Sequence, residues 1–597
     1  MGSGASGARN NDVAQPKELI NPKLEEVHTE LLGGGCIIHE VENRAITIQQ
    51  LQDLVRNVET KVKEEKWVST SPQALKPVKL KAKSVNLYDL VAWLVKPATA
   101  ARRCSYVELV ATGPQPTRWF TSHWWGEPVF QFVTCVVKHS EQRRLGIKAA
   151  YWVCAYANNQ WDLASDLVAN PAESSFRRAL DVAEGTLSIL DGSAIAYSRV
   201  WCNYEMFVTL EKAKSASHLF DIYTFHAHQP RGITDGITEG DMRGASWWWE
   251  DRKWTREKNF PVNLAQAAMQ ARVELAEASV DMDRIHILNA IVGAEDLNQT
   301  PPLEHECYDF VNTTLHARFA LATFKLALEA GLPLESHVRV ISYSHIARID
   351  LSFRSSEVLS DHVLMQLSSS LPSTLRELSL NVVACKQLSN QGIQALAHAL
   401  HQLPLESLHL DLAKNVLTDA AVQALAASHG STLKHLWLSL GHLASLTDVS
   451  GECVASALPT GLKTLFLAFV GCRQITGKTL ASLSKSIPPT ATHLHLLFGD
   501  CHLLDDAASV QLFSGLPQGL LELELDFWAC SQLTQAMLEA LGAKLPSTVS
   551  RLELTMGEIP AISGVYGRRY AKRELKETPP VLLQALGHTN VSIEYLA

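Results

Sequence analysis

The stretch SSFRRALDVAEGTLSILDGSAIAYSRVWCNYEMFVTLEK, Ser174 to Lys212, decides how the first half of the chain folds. It reads as a helix, a short apolar strand over Thr186–Leu190 bracketed by Gly185 and Gly192, a loop, and a second helix whose first turns carry Trp201, Cys202 and Glu205. Ser198 stands where a hydroxyl would cap a helix beginning at Arg199. The same alternation extends in both directions. RWFTSHWW from Arg118 is a strand, PVFQFVTCVVKHSE a helix, AAYWVCAYA a strand, and HLFDIYTFHA beyond the second helix another strand. Short apolar strands alternating with longer helices predict βαβ units, hence an α/β domain with a parallel sheet and helices on both faces.

In such a sheet, ligands bind beyond the carboxyl ends of the strands. Those ends carry Ser122, His123 and Trp124, then Asn158, Asn159, Gln160 and Trp161, then Asp191 and Tyr197. The expectation is a polar crevice walled by tryptophan, although each residue taken singly also reads as core or turn.

These residues also carry a resemblance. The succession FTSHWW, helix, YWVCAYANNQ, SSFRRAL, TLSIL and YSRVWCNYEM resembles the TIR (Toll/interleukin-1 receptor) domain, over about residues 118–228. In that family the opening strand ends in a Ser-containing motif, and a later loop leads into a Ser-x-Trp-Cys-x-x-Glu-Leu helix. Here the latter is Ser198, Arg199, Val200, Trp201, Cys202, Asn203, Tyr204, Glu205, Met206, with one extra residue before the Trp. The resemblance implies a flavodoxin-like TIR-type sheet and self-association between such domains. In the members that are enzymes, the glutamate of this helix cleaves the nicotinamide–ribose bond of NAD. That implies Glu205 as the catalytic residue and Ser122, His123, Trp124, Asn158, Asn159, Trp161, Asp191 and Tyr197 as NAD contacts. A carboxylate in a partly dry cleft can stabilise the oxocarbenium-like ribose that this cleavage develops. The bland reading of Glu205 is a solvated helix residue.

The chain departs from the family where Asn158–Gln160 replace the usual acidic and glycine residues, and His123 stands in place of an aromatic. The first reading is therefore an assembly module. An NAD glycohydrolase regulated by the repeats described below is the alternative.

At 597 residues the chain is too long for one core. Its net charge of -9 is spread without a basic block, which argues against nucleic acid as a partner. Eleven cysteines without a CxxC pair fit reduced thiols in the cytoplasm, and no apolar run is long enough to span a bilayer. MGSGAS places Gly2 and Ser6 at the spacing of an N-myristoylation signal. A single acyl chain there would be a weak, reversible membrane anchor, the other reading being a Gly/Ser tail.

The expected organisation begins with a tail over 1–35 and a helical brace over 36–115. The brace holds a helix with the apolar stripe Ile48, Leu51, Leu54, Val58 and Val62, and a second, VNLYDLVAWLV, ended by Pro97. The TIR-like domain fills 116–295. Its last part holds the cluster Trp247, Trp248, Trp249 and Trp254, an internal anchor or a contact patch, and an Ala-rich helix from Asn263 to about Ala278. A capping helix and linker occupy 306–345.

From 346 to 560 the pattern Leu-x-x-Leu-x-Leu begins at Ile346, Leu375, Leu405, Leu433, Leu462, Ala491, Leu520 and Val549, in steps of 28 to 30 residues. A fixed period of this length predicts a leucine-rich repeat solenoid. Cys385, Cys472, Cys501 and Cys530 fall at one position of their units and resemble the ladder of cysteine-containing, ribonuclease-inhibitor-like repeats. The residues between the strand leucines face the concave side, among them His409, Lys434, His435, Trp437, Lys463, Phe466 and His495, a mixed surface running from basic in the middle to acidic near the end and suited to a protein partner. GCRQITGKT at 471–479 imitates a phosphate loop but has five residues between its glycines where four are needed. His226 and His228 lack a third ligand at a suitable spacing, so no metal site is expected. A tail and cap fill 561–597.

Overall fold

The computed structural model describes residues 35–556, except 75, 167, 169, 216–217, 244–248 and 429, together with the strand Asn590–Tyr595. The expectations for Gly2, the tail through residue 34, Trp247 and Trp248, and most of 561–597 lie outside the described residues. The chain divides into two compact units, residues 1–235 with 277–301, and residues 236–276 with 302–597. The sequence-based block 116–295 is thus divided, and each unit is taken by itself below.

In the first unit, β1 (Ile46–Thr47), β2 (Trp119–His123), β3 (Ala150–Trp152), β4 (Gly185–Leu190), β5 (Leu219–His226) and β6 (Gln229–Ile233) form one sheet in the order β1-β3-β2-β4-β5-β6. The inner four strands are parallel, as their alternation with helices predicts, and β1 and β6 close the edges antiparallel. The chain winds from β2 to β3 and then back across β2 to β4, which puts a switch point at the carboxyl end of β2 beside β4. β2 and β4 are buried along their whole length, as in sheets covered on both faces. Alternation along β2 sends Trp119 and His123 toward His139 and Phe132 of the helix Val129–Gln142. Phe120 goes to the other face, where it stacks on Trp152, which packs on Phe176, which stacks in turn on Trp201 of the helix Val200–Ser215.

The brace belongs to this unit's core rather than lying outside it. Thr47 and Gln50 close a capping box at the start of the helix Ile48–Glu65, whose buried face is the predicted stripe. Just before it, β1 pairs with β3. The second brace helix does not end at Pro97. It runs through Leu87–Leu90, a π turn over Val91–Val95, and Lys96–Thr99, the wider turn falling just before Pro97. Ser198 does not cap its helix either. Its hydroxyl donates to the Ile195 carbonyl (2.8 Å) inside a 3-10 turn, and the helix starts at Val200.

In the second unit, β7 (Arg348–Ser352), β8 (Glu377–Asn381), β9 (Ser407–Asp411), β10 (His435–Ser439), β11 (Thr464–Ala468), β12 (His493–Leu497), β13 (Glu522–Asp526), β14 (Arg551–Met556) and β15 (Asn590–Tyr595) stack as a parallel sheet in sequence order. The strand leucines are buried and the residues between them half-exposed or exposed. This is a leucine-rich repeat solenoid. Polar ladders tie its units. The Thr447, Thr476 and Thr534 hydroxyls donate to Asp419, Asp448 and Asp506 of the preceding unit at 2.6–2.7 Å. The Cys385, Cys472, Cys501 and Cys530 thiols each donate to a carbonyl of the unit before, all at 3.2 Å. They are a buried packing ladder.

Residues 236–276 group with the solenoid. The Ala-rich segment is helical only over Val262–Ala268. After a 3-10 turn begins at Val273, the Val273 N–H donates to Asn312 on the long helix Glu306–Glu329 (2.9 Å), which fixes the chain there in another conformation. In the helix Trp249–Glu257, Glu250 accepts hydrogen bonds from Ser352 and Asn381, and Lys325 lies over the Trp254 ring. The two described tryptophans of the cluster therefore belong to the solenoid's unit.

Candidate functional site

Where β2 and β4 finish, polar side chains gather without enough partners. Ser122, on the face of β2 that meets the helix Val200–Ser215, lies beside Glu205 and Cys202 of that helix. Glu205 is 4% exposed, not solvated as its bland reading has it. Burial raises its carboxyl to about 8, and the nearby Ser122 hydroxyl only partly opposes that, so Glu205 is a neutral acid at pH 7. The Ser122 Oγ and one Glu205 oxygen have no partner at ordinary hydrogen-bond geometry. Cys202 donates to the His123 carbonyl (3.6 Å), and Trp125 Nε1 donates to Cys154 Sγ (3.2 Å).

On the other face of β2, burial lowers His123 to about 4 and leaves its Nε2 without a partner. Asn158 keeps its Oδ1 unpaired at 2% exposure. Glu127, also 2% exposed, has neither carboxylate oxygen bonded, and burial with the charge of Asp191 pushes it well above the usual carboxylate range. Sequence reasoning missed Glu127. In GEPVF it reads as a solvated loop acid, and only its place between an aromatic run and an apolar helix hints otherwise.

The remaining predicted contacts are held by other partners. Trp161, 36% exposed, donates from Nε1 to Thr99 (3.0 Å) and lies under Lys96 and Arg103. Asn159 donates to the Arg103 carbonyl (2.8 Å). The Trp124 ring covers Gly126, where even a methyl group would meet it. Asp191 accepts from the Ser193 and Ile195 N–H groups of its own loop. Tyr197 is buried, its hydroxyl 3.1 Å from Ser188. The structure thus brings the side chains of Ser122, Cys202 and Glu205 together with the His123 carbonyl, and holds the Trp124, Trp161 and Tyr197 of the expected wall in other contacts.

A second buried polar group lies near the start of β5. Asp221 accepts two hydrogen bonds from Arg143 (2.8 Å each), one from His139 (3.0 Å) and one from the Asp235 N–H (2.8 Å), while His139 Nδ1 meets Tyr151 (2.8 Å). These partners outweigh burial and hold its carboxyl far below the usual range. Among the described residues, no group of three or more His, Cys, Asp or Glu side chains is placed to hold a metal ion, and no helix is long and apolar enough to cross a membrane.

On the concave face of the solenoid, His409, Trp437, Phe466 and His495 sit at one register on neighbouring strands. Their ring centroids are 3.8, 4.2 and 6.2 Å apart in succession, and all four side chains are half-buried. His435 stands one register position away, exposed, and shares a hydrogen bond with Thr464 (3.1 Å).

No protein-family model matches the chain, and no curated protein matches it. Among solved structures, it is similar to the leucine-rich repeat-containing protein LegL7 from Legionella pneumophila, at 17% identity and a TM-score of 0.25, over 37% of this chain and 77% of that one. It is similar also to a chain of the Rad7 and Elc1 complex of yeast, at 16% identity and a TM-score of 0.23, over 51% and 78%. Leiomodin-1 actin-binding site 2 matches at 13% identity and a TM-score of 0.17, over 35% and 87%. The repeat fold rests on the nine-strand sheet described above.

Proposed function

We propose that this protein is a signalling or scaffold protein whose repeats bind a protein partner on their concave face, while a TIR-like α/β unit mediates assembly with a second such unit. The observation that carries the reading is the row of four neighbouring, half-buried rings across four strands, with Trp437 and Phe466 stacked at its centre. Aromatic side chains left in contact with water at the centre of a rigid curved sheet are the kind that anchor interfaces. For the TIR-like assignment, the support is the strand order of the inner sheet, common to doubly wound folds, and the Trp201-Cys202-x-x-Glu205 motif at the start of the helix beside β2. Cross-linking of the full chain in its own cells, followed by mass spectrometry, tests the first half. Partners captured by the wild type are lost with Trp437→Ala, and partners unchanged by it would refute the concave-face reading. Sedimentation over a range of concentrations tests assembly.

A second reading, NAD glycohydrolase, is favoured by one specific feature, the buried Glu205 beside Ser122 at the switch point, with one carboxyl oxygen and the serine hydroxyl left without ordinary partners. NAD would be the substrate, and Glu205 would stabilise the ribose cation once its proton is lost or shared. Incubation with NAD, read by mass spectrometry with wild type and Glu205→Gln, decides it. No consumption by concentrated wild-type protein removes the enzymatic reading.

A further inference from the structure

The concave face says what kind of partner it takes. The five strands from β9 to β13 carry four carboxylates, Asp411, Glu522, Glu524 and Asp526, and neither lysine nor arginine, although Lys434, paired with Glu406, and Lys463 stand directly before β10 and β11. Glu522 and Glu524 occupy consecutive concave positions of β13 and pair in register with His493 and His495. The acidic pair therefore continues the ring row directly, with His495 Nδ1 donating to Glu524. The only guanidinium or ammonium on the strands β13 and β14 is that of Arg551, which binds Glu522 and Glu553. Its single charge faces four carboxylates there, Glu522, Glu524, Asp526 and Glu553.

The rings themselves supply the other half of the specification. Trp437 and Phe466 lie nearly parallel, at 11°, and His409 covers the Trp437 ring at 3.8 Å. Neighbouring rings take up much of the faces, so the surface offers an apolar ridge of ring edges more than open faces for a cation to sit on. Attraction for a cation then comes from the carboxylates beside the ridge. An anionic partner would bring its charge against that group and gain nothing in return for desolvating it.

We infer that the concave face receives a segment of a partner protein that places an apolar or aromatic anchor on the Trp437–Phe466 ridge and a lysine or arginine at Glu524 and Asp526. The inference rests on the proposed use of this face. Strands lie about 4.8 Å apart, so two or three steps from the ridge to β13 span roughly 10–14 Å, or about three to four residues of an extended segment. Arginine suits the site best, because its fork can hold a carboxylate at two points.

The test pans a random twelve-residue displayed peptide library on the immobilised full chain, with Trp437→Ala and the double variant Glu524→Gln/Asp526→Asn in parallel, each checked for wild-type circular dichroism. The double variant alters only half-exposed side chains, so it reports charge even if Trp437→Ala disturbs the fold. The expected pool is enriched in lysine or arginine three or four positions from a large apolar residue. Its clones bind either variant at least tenfold more weakly and weaken as salt rises. Peptides that need Trp437 but are neutral or acidic overturn this inference and leave the concave-face reading standing. Peptides indifferent to both variants, or no enrichment at all, overturn the two together.

Discussion

Two buried polar groups share the sheet of the first unit and differ in nearly everything but burial. Near the start of β5, Asp221 is enclosed by Arg143, His139 and a backbone N–H, and its carboxyl is held ionised. Where β2 and β4 end, Glu205 and Glu127 are as deeply buried, meet no cation, and are pushed toward their neutral forms. Native structures leave few buried polar atoms unpaired, and one Glu205 oxygen and both Glu127 carboxylate oxygens are among those unpaired here. The Asp221 group is a satisfied ion pair, and the Glu205 group a buried acid left short of partners.

The comparison breaks most visibly at Asp221. Asp221→Asn leaves Arg143 buried without its counter-charge, and removing one partner of a buried ion pair costs about 3–5 kcal/mol. Hydrogen exchange read by mass spectrometry should show β2, β4 and β5 losing protection together. The wild-type contribution also has a pH signature. A carboxyl held below its unfolded value gives stability that is present above that value and is lost as the pH falls through the folded one. Protection unchanged by Asp221→Asn would show that the network carries no stability.

How far the sequence disclosed all this depends on whether a residue's role is written in a period or in a contact. The repeats were legible because a fixed step repeats the same buried leucines, and eight strands fall where the period puts them. The ninth escaped. β15 pairs Asn590 with Arg551, thirty-nine residues on, whereas Arg551 pairs with Glu522 at the usual twenty-nine. An insertion of ten residues and a strand with Val591, Ile593 and Tyr595 in place of leucines hid it. Glu205 was legible through its motif. Asp221 was not singled out, although an acid inside the apolar strand LFDIYTF is itself a sign of a buried counter-charge. The partners of Trp161 could not be read, since Thr99 and Arg103 come from the brace, some sixty residues earlier.

At the other end of the comparison the sign reverses. Glu205 has a raised value, so the folded protein keeps a proton that the unfolded chain releases above about 4.5, and wild-type stability falls as the pH rises from there to about 8. Glu205→Gln keeps the shape and removes the titration. It should flatten that decline and leave β2 and β4 better protected at pH 8, by on the order of 2 kcal/mol after allowing for the amide's own unpaired atoms. A variant that is less stable than wild type at pH 8 would mean that Glu205 is ionised and paired in the folded protein, and the contrast with Asp221 would collapse.

The smallest effect is the sharpest on mechanism. Among the described residues, the Ser122 hydroxyl draws Glu205 toward its charged form, and it does so weakly, from outside good hydrogen-bond geometry. Ser122→Ala should therefore move the upper limit of the pH-dependent decline above 8, by less than about one unit, while changing stability at pH 5 very little, because Glu205 is already protonated there. The decline should steepen near pH 8 only when Glu205 is present, so Ser122→Ala in the Glu205→Gln background should add no pH dependence of its own. If Ser122→Ala shifts the profile equally in both backgrounds, the serine acts through packing, and the two residues are neighbours in the structure without being coupled in their chemistry.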